Sequence, residues 1–539
     1  MRGGRILSQL KERRWYKAYP EGIEKELEIP EISLYAVFQK TAERYGNRAA
    51  IIQEDINISY KRLKNKVDRL AGAWSKLGLT KGDRIGLMVS NHPYYIVSYY
   101  AAMKLGLIVV QVNPRYTTRE LLQIANDAEP KCIVVEGLAI QTVNKVKDMY
   151  TFEHIFVIDG KSSEGLHVEE LVQSTEPLEV TVPIDVKEDV AVIQYTGGTT
   201  GSIKGAMLTH YNLVANIHQS HGMFGKDMRF GKEIVLTATP LYHVYAMTTA
   251  MNQGIYLGAT ILLIKKFEVG QVLEVIEKYR PTFFPGVPKM YNAIVNYKEV
   301  EKYNLSSLKF CSCGSAPLPI EVIRKFEQLT GTVIGEGFGL SEASPSTHRN
   351  PPRGVRKIGS IGIPFPNTDC KIMGEDNVEL PNDCIGELVI KGPQVMKGYW
   401  RNEDETRHAL KEGWLYTGDL AKQDEDGYFY IVGRKKEMII NGGFNVYPQE
   451  IENILYEHPD IQECAVVGIP DSKIGEIVKA YLVAKEGKTI DLDEVKGFCY
   501  RNLTPYKVPK EFEVIDELPR NTVGKILKRV LIERESNNS

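Results

Sequence analysis

A chain of 539 residues is too long for one hydrophobic core, which stops growing near ~250–300 residues, so several subdomains are expected. Lys+Arg at 67 against Asp+Glu at 69 leaves a formal net charge of -2, which gives no reason to expect nucleic acid as a partner. Hydrophobic residues at 43% and charged residues at 25% are ordinary globular usage, and seven scattered cysteines without Cys-x-x-Cys pairs argue against disulfides or zinc. A reducing cytoplasm fits.

The opening Met1-Arg-Gly-Gly-Arg-Ile6 runs into mixed charge with no apolar h-region, so no secretory signal is expected. Leu63, Val67, Leu70, Ala71, Trp74 and Leu77 then fall on one helical face, with Gly78 suited to the C-terminal cap. Residues 83–89 are strand-like, 93–105 form a helix and 107–112 a second strand: a βαβ unit, extended by strands at 131–135 and 154–158. The most apolar stretch, 94–112, is interrupted by Lys104 and Gly106 and makes a poor membrane span.

Val190-Ala-Val-Ile-Gln194 is apolar enough for a buried strand, and it enters Tyr195-Thr-Gly-Gly-Thr-Thr-Gly-Ser-Ile-Lys-Gly205. Glycines let backbone N–H groups turn inward, while hydroxyls and Lys204 add donors and charge, so the segment suits a phosphate. A strand running into such a turn is where open α/β proteins hold nucleotides. It is not the Walker loop G-x-x-x-x-G-K-[ST]. Lys204 is followed by Gly205, and Lys525 of the pair Gly524-Lys525 by Ile526, so neither precedes a magnesium-binding hydroxyl.

Further along come Pro240-Leu-Tyr-His-Val-Tyr-Ala246, Gly314-Ser-Ala-Pro-Leu318 and Gly335-Glu-Gly-Phe-Gly-Leu-Ser-Glu342. Cys311 and Cys313 flank Ser312 as small apolar fillers. From roughly 360 to 432 the pattern changes to short strands with Gly, Asn and Asp turns, as in a small β-barrel-like section. It contains Gly413-Trp-Leu-Tyr-Thr-Gly-Asp-Leu420 and leads into Tyr430-Ile-Val-Gly-Arg-Lys-Lys436. A compact α+β module follows: Gly442-Gly-Phe-Asn-Val446, a helix at 448–458, strands at 464–468 and 478–485, a helix at 491–501 and a strand near 512–515. Pro519-Arg-Asn-Thr-Val-Gly-Lys525 then opens an amphipathic stretch at 526–532. Singly, each motif has an ordinary explanation: Trp414 and Tyr416 as core aromatics, 434–436 as a solvated run, Glu342 as a helix cap, Lys525 as an exposed lysine.

Together and in this order, the motifs resemble the signatures of the adenylate-forming superfamily: acyl-CoA synthetases, luciferases and the adenylation domains of peptide synthetases. The loop is similar to Y-T-[SG]-G-T-T-G-x-P-K-G, with Ile203 where proline is common, a change of stiffness more than chemistry. The resemblance implies an α/β fold with a large N-terminal domain over 1–433, a hinge at 434–436 and a mobile α+β domain over 437–539. It implies ATP, Mg²⁺ and coenzyme A as ligands. Phosphate would be held by Thr196, Gly197, Gly198, Thr199, Thr200, Gly201 and Lys204. Gly314, Ser315 and Ala316 would lie along adenine, and Phe338, between Gly337 and Gly339, would stack on it. Ser341 and Glu342 would face the phosphate and its magnesium, a hard cation that prefers oxygen. Asp419 and Arg434 would bind ribose, Lys436 would be the pivot and Gly443 would give the CoA thiol close backbone approach. The catalytic set implied is Lys525, His243, Thr196 and Glu342; Asn521, in a position often threonine or arginine, is a mild departure.

The implied reaction has two steps. A carboxylate attacks the α-phosphate of ATP to give an acyl-adenylate and pyrophosphate, and positive groups must converge because both reactants are anions. The CoA thiol then displaces AMP after the small domain swings. His243 stands where amino-acid-activating relatives carry an aspartate, which disfavours a substrate with an ammonium group. The N-terminal half, with Val112-Asn-Pro-Arg-Tyr-Thr117, and residues 413–436 most resemble bacterial long-chain fatty acyl-CoA synthetases. Small residues in Ser312-Cys-Gly-Ser-Ala316 would let a pocket floor recede for an alkyl chain. Two alternatives stay open: a medium-chain or aryl-acid CoA ligase, and an adenylate former that loads a carrier protein or acts as a luciferase-like monooxygenase. The terminal Ser-Asn-Asn-Ser539 is not a Ser-Lys-Leu address. A cytoplasmic enzyme is expected, with peripheral membrane contact open and no evident anchor.

Overall fold

Period-two alternation settles the layering of the first part of the molecule. In strand Thr260–Leu263 every residue is buried, yet Ile261 and Leu263 enter one core and Leu262 another. In strand Cys132–Glu136, Cys132 and Val134 share the core of Ile261, while Ile133 and Val135 face a third. Successive strand side chains point to opposite faces, so two sheets each covered on both sides enclose one shared middle core. Helix Pro93–Leu105 lies in that middle layer. It is buried on nearly every side, and its tyrosine tips find partners: Tyr95 donates to the Leu241 carbonyl at 2.8 Å and Tyr100 to Asn252 at 2.9 Å. Pro93 starts it, and Gly106, at φ 68, ends it.

The computed structural model describes residues 13–159, 165–197, 203–471, 475–520 and 525–538. The chain divides into two compact units, residues 1–369 with 391–415, and residues 370–390 with 416–539. One sheet of the larger unit runs, in spatial order, Gly398–Tyr399, Ile203–Thr209, Val190–Gly197, Ile108–Gln111, Arg84–Met88, Cys132–Glu136, His154–Ile158, Leu166–His167. The other centres on parallel strands Ile334–Gly339, Phe310–Cys313, Phe283–Gly286, Ile234–Thr237, Thr260–Leu263 and Ala49–Gln53. Antiparallel Ser346–Arg349 and Ile363–Pro364 extend it beyond Ile334–Gly339.

The smaller unit holds the barrel-like section expected between 360 and 432, a sheet of Asp369–Met373, Gly386–Lys391, Trp414–Gln423 and Phe429–Arg434. Its α+β module pairs the long strands Ile461–Asp471 and Gly475–Ala484 along their whole length, with Glu511–Val514 added in parallel. Helices Pro448–Tyr456 and Leu492–Asn502 cover one face and helix Lys528–Asn538 the other. The second of these starts where expected because Asp491 accepts from the amides of Asp493 and Glu494. All seven cysteines are free, and Cys384 alone is exposed. No helix among the described residues is long and apolar enough to cross a membrane.

Candidate active site

The larger unit gathers candidate residues at the ends of buried strands. Val190–Gly197 and Ile203–Thr209 form an antiparallel hairpin that sets Thr196 opposite Lys204 and Tyr195 opposite Gly205. Gly205 has a steric reason: a Cβ there would sit 2.6 Å from Ile193 Cγ2. Gly198, Thr199, Thr200 and Gly201 lie outside the described residues. At the hairpin base Tyr195 donates to Asp127, and the Trp400 amide donates to the Gly205 carbonyl at 2.8 Å. Lys204 pairs with Glu405 and stands 5.4 Å from the centroid of the Tyr399 ring. The Tyr399 hydroxyl in turn donates to Glu342 Oε1 at 2.9 Å. Tyr399 therefore ties the lysine of the loop to the proposed magnesium ligand, an arrangement that no motif announced. It belongs to strand Gly398–Tyr399, which pairs with Ile203–Thr209.

Glu342 sits in the turn Ser341–Ala343, which packs against both arms of the hairpin. The strand before it, Ile334–Gly339, runs so close to Ser346–Arg349 that a Cβ at Gly337 would meet the His348 carbonyl at 2.9 Å, and one at Gly339 the Pro345 carbonyl at 2.4 Å. Between these glycines Phe338 meets His348 edge-on, ring centroids 6.1 Å apart. Gly314, Ser315 and Ala316 follow the C-terminal end of strand Phe310–Cys313, where open α/β sheets place ligands. Ser315 takes φ 76, which turns the chain sharply there.

His243 caps helix Val244–Ala246, and its Nδ1 accepts the Tyr245 amide at 3.3 Å. The proton of the neutral ring is thereby left on Nε2, a donor suited to a carboxylate oxygen. Burial pushes His243 down to about 4, so the ring is neutral through the physiological range. The helix continues as a π-turn over Met247–Asn252, a local widening that recurs at functional sites. Tyr245 packs on the bare face of Gly314, and its hydroxyl lies 3.0 Å from Ser312 Oγ. The His243 and Gly314 segments are thus neighbours.

The smaller unit gathers the rest. Asp419 faces Arg434 across the pair Trp414–Gln423 and Phe429–Arg434, and the Arg434 Nε–Asp419 Oδ1 distance is 2.7 Å. The Asp419 carboxylate is almost wholly buried and the Arg434 side chain is 40% exposed, so the charge pair presents its cationic side outward. Lys525 reaches solvent, yet protein packed around its ammonium and the nearby Arg434 push its pKa down, against the opposing pull of Glu437 and Asp419. Lys436 is exposed in the turn Lys435–Glu437. Gly442 and Gly443, at φ 60 and 84, form the two-residue turn between Ile439–Asn441 and Phe444–Val446. A groove of about 350 Å³ opens beside that turn, with Phe444 stacked on Tyr506 at 4.7 Å and Lys496, Tyr500 and Lys510 in its walls. The Gly442–Val446 motif marks one of its walls, and no sequence motif marks Lys496, Tyr500 or Lys510.

A family model described as "AMP-binding enzyme" matches residues 38–400, and one described as "AMP-binding enzyme C-terminal domain" matches residues 450–525. The chain is 42% identical to a protein of Bacillus subtilis (strain 168) named "Long-chain-fatty-acid--CoA ligase", over 97% of this chain and 98% of the other. A protein of that name from Escherichia coli O6:H1 is 38% identical over 96% and 97%, and the "Feruloyl-CoA synthase" of Amycolatopsis sp is 36% identical over 90% and 94%. Among solved structures, ATP-bound MatB from Rhodopseudomonas palustris superposes with a TM-score of 0.86 at 30% identity, over 94% of this chain and 100% of that one. Mycobacterium tuberculosis fatty acyl CoA synthetase gives 0.76 at 28%, over 94% and 99%.

Proposed function

We propose, from the premise that the chain belongs to the AMP-binding enzyme family, that it is an AMP-forming acid–thiol ligase acting on long-chain fatty acids. It activates the acid with ATP as acyl-AMP, transfers the acyl group to CoA, and releases AMP and pyrophosphate. The observation that carries this reading is the near full-length likeness to long-chain-fatty-acid--CoA ligases.

His243 donates from Nε2 to one carboxylate oxygen and leaves the other free to attack. Thr196 and Lys204 hold phosphate, Lys204 exchanging Glu405 for the nucleotide. Gly314, Ser315, Ala316 and Phe338 take adenine, and Asp419 with Arg434 takes ribose. Lys525 offsets the charge that builds between carboxylate and α-phosphate in the first step. The thioester step needs no such cation, and a pivot at 434–436, separating 1–433 from 437–539, lets the smaller domain change roles.

Tyr399 occupies one oxygen of Glu342 and leaves its other oxygen available to a hard cation. Among the described residues no group of three or more His, Cys, Asp or Glu could hold a metal without the substrate. Glu342 would hold magnesium, and the ion would supply neutralisation of phosphate charge. The Phe444–Tyr506 stack with Lys496 and Lys510 offers a π-face and cations to the nucleotide end of CoA. A need for ATP and CoA suits a cytoplasmic enzyme, and an insoluble acid suits peripheral contact with a bilayer surface.

Pyrophosphate release over acids from acetate to oleate, with and without CoA, tests the proposal. Turnover that needs both a long-chain acid and CoA supports it; AMP never appearing overturns it. A second reading, an aryl-acid CoA ligase, is favoured by the likeness to feruloyl-CoA synthase, and preference for a coumarate-like acid would replace the first.

A further inference from the structure

Helix Glu403–Ala409 brings to the phosphate site an acid whose role in the reaction above is undefined. Among the described residues Glu405 is the carboxylate ion-paired with Lys204, and the two lie 201 positions apart. The Lys204 side chain is 15% exposed and that of Glu405 44%, so the ammonium is the sheltered partner and the carboxylate has room to move. The Tyr399 ring, its centroid 5.4 Å from the ammonium, lines another side.

The backbone that carries Glu405 is held firmly. Asn402 caps the helix, its Oδ1 accepting the Glu405 amide at 3.1 Å. The hydroxyl of Thr406, the next residue, accepts the Tyr399 amide at 2.9 Å and donates to the Asn402 carbonyl at 2.7 Å. One short stretch, 398–406, therefore supplies both the ring against Lys204 and the carboxylate paired with it. The adjustable part is the Glu405 side chain.

A carboxylate and a phosphate ask the same of a lysine, since each is an oxygen anion seeking a point charge with three donors. Their own charges repel, so an ammonium shared by both is held less well by each. We infer that Glu405 is a positioning residue that acts through Lys204 as an internal stand-in for phosphate. It competes with the β- and γ-phosphates for the ammonium, and by returning to it after acyl-AMP has formed it helps pyrophosphate leave. This rests on the ligase reading and adds to it the step at which the first product departs. Pyrophosphate has lost its covalent link to adenosine and is held by phosphate contacts, so a carboxylate that reclaims Lys204 removes one of them. AMP keeps only the α-phosphate and is indifferent to the exchange. The apparent affinity for ATP is lowered by the fraction of molecules in which Glu405 occupies Lys204.

The test is acyl-CoA formation by the full chain with ATP, Mg²⁺, CoA and the acid turned over fastest in the acetate-to-oleate series, pyrophosphate or AMP being added as inhibitor. Glu405→Gln keeps the size of the side chain and drops its charge. It should lower the pyrophosphate inhibition constant about three- to tenfold, and the KM for ATP in the same direction, while AMP inhibition stays within about twofold. Glu405→Asp keeps the charge on a shorter arm and should fall between that variant and the natural chain. A merely structural role would move pyrophosphate and AMP inhibition together. That result, or pyrophosphate constants equal in all three proteins, would overturn the inference and leave the ligase reading intact. If the glutamine variant melts early, the aspartate variant decides by the same ratio of pyrophosphate to AMP inhibition. Acyl-CoA from no acid at all would overturn both.

Discussion

The two sets of site residues are held in opposite ways. In the larger unit Glu342, His243 and Gly314 stand at the ends of strands and turns locked by close backbone approach, with glycine wherever a side chain would collide. In the smaller unit charge holds charge: Asp419 with Arg434, Lys435 with Glu387 at 3.0 Å, Lys528 with Glu452 at 2.7 Å. Packing fixes a geometry once, whereas Arg434 and Lys435, each substantially exposed, can exchange carboxylate partners at lower cost. The first arrangement suits groups that must wait preorganised for a substrate, and the second suits groups that serve one step and not the next.

Lys525→Ala would test that contrast most severely. Pyrophosphate release should fall on the order of 10²–10³-fold, while thioester formation from supplied acyl-AMP stays within a few-fold. Equal loss in both half-reactions would erase the distinction between the two sets. Tyr399→Phe, which removes the hydroxyl from Glu342, should cost ~10–100-fold in adenylation and be partly rescued by raising Mg²⁺. A loss that ignores Mg²⁺ would place Tyr399 outside the metal site. Lys436→Pro should slow thioester formation several-fold more than adenylation, read from the two half-reactions separately.

Acid should strike the larger unit. Burial holds His210, His218 and His243 at about 4 and His348 at about 3. The unfolded chain protonates them near ~6.5, so it binds more protons in between, and stability is lost as pH falls from there through 4. Glu336 works in the other sense. Burial raises it to about 7, so the stability its proton brings is present below the ordinary carboxylate range and is lost as pH rises through 7. Melting temperature against pH should show both limbs, and Glu336→Gln should flatten the alkaline one alone. An unchanged alkaline limb would remove Glu336 from the account.

Helix Pro93–Leu105 was legible to the residue because proline and glycine punctuate it, and the βαβ strands were legible because parallel strands buried on both faces read as apolar runs. The motifs located Asp419 and Arg434 because both lie on facing strands of one short hairpin-linked pair. Tyr399 was not legible, because it meets Glu342 across 57 positions. The π-turn at Met247–Asn252 also left no period to detect.

The chain enters the smaller unit for residues 370–390, returns to the larger for 391–415, and leaves it again. The returning piece carries Gly398–Tyr399, the edge strand that closes over Ile203–Thr209. During synthesis, then, the hairpin around Lys204 must wait bare while nearly two hundred further residues emerge from the ribosome. That exposed ribbon edge is the natural place for a nascent chain to stall on a holdase or to pair wrongly with a neighbour.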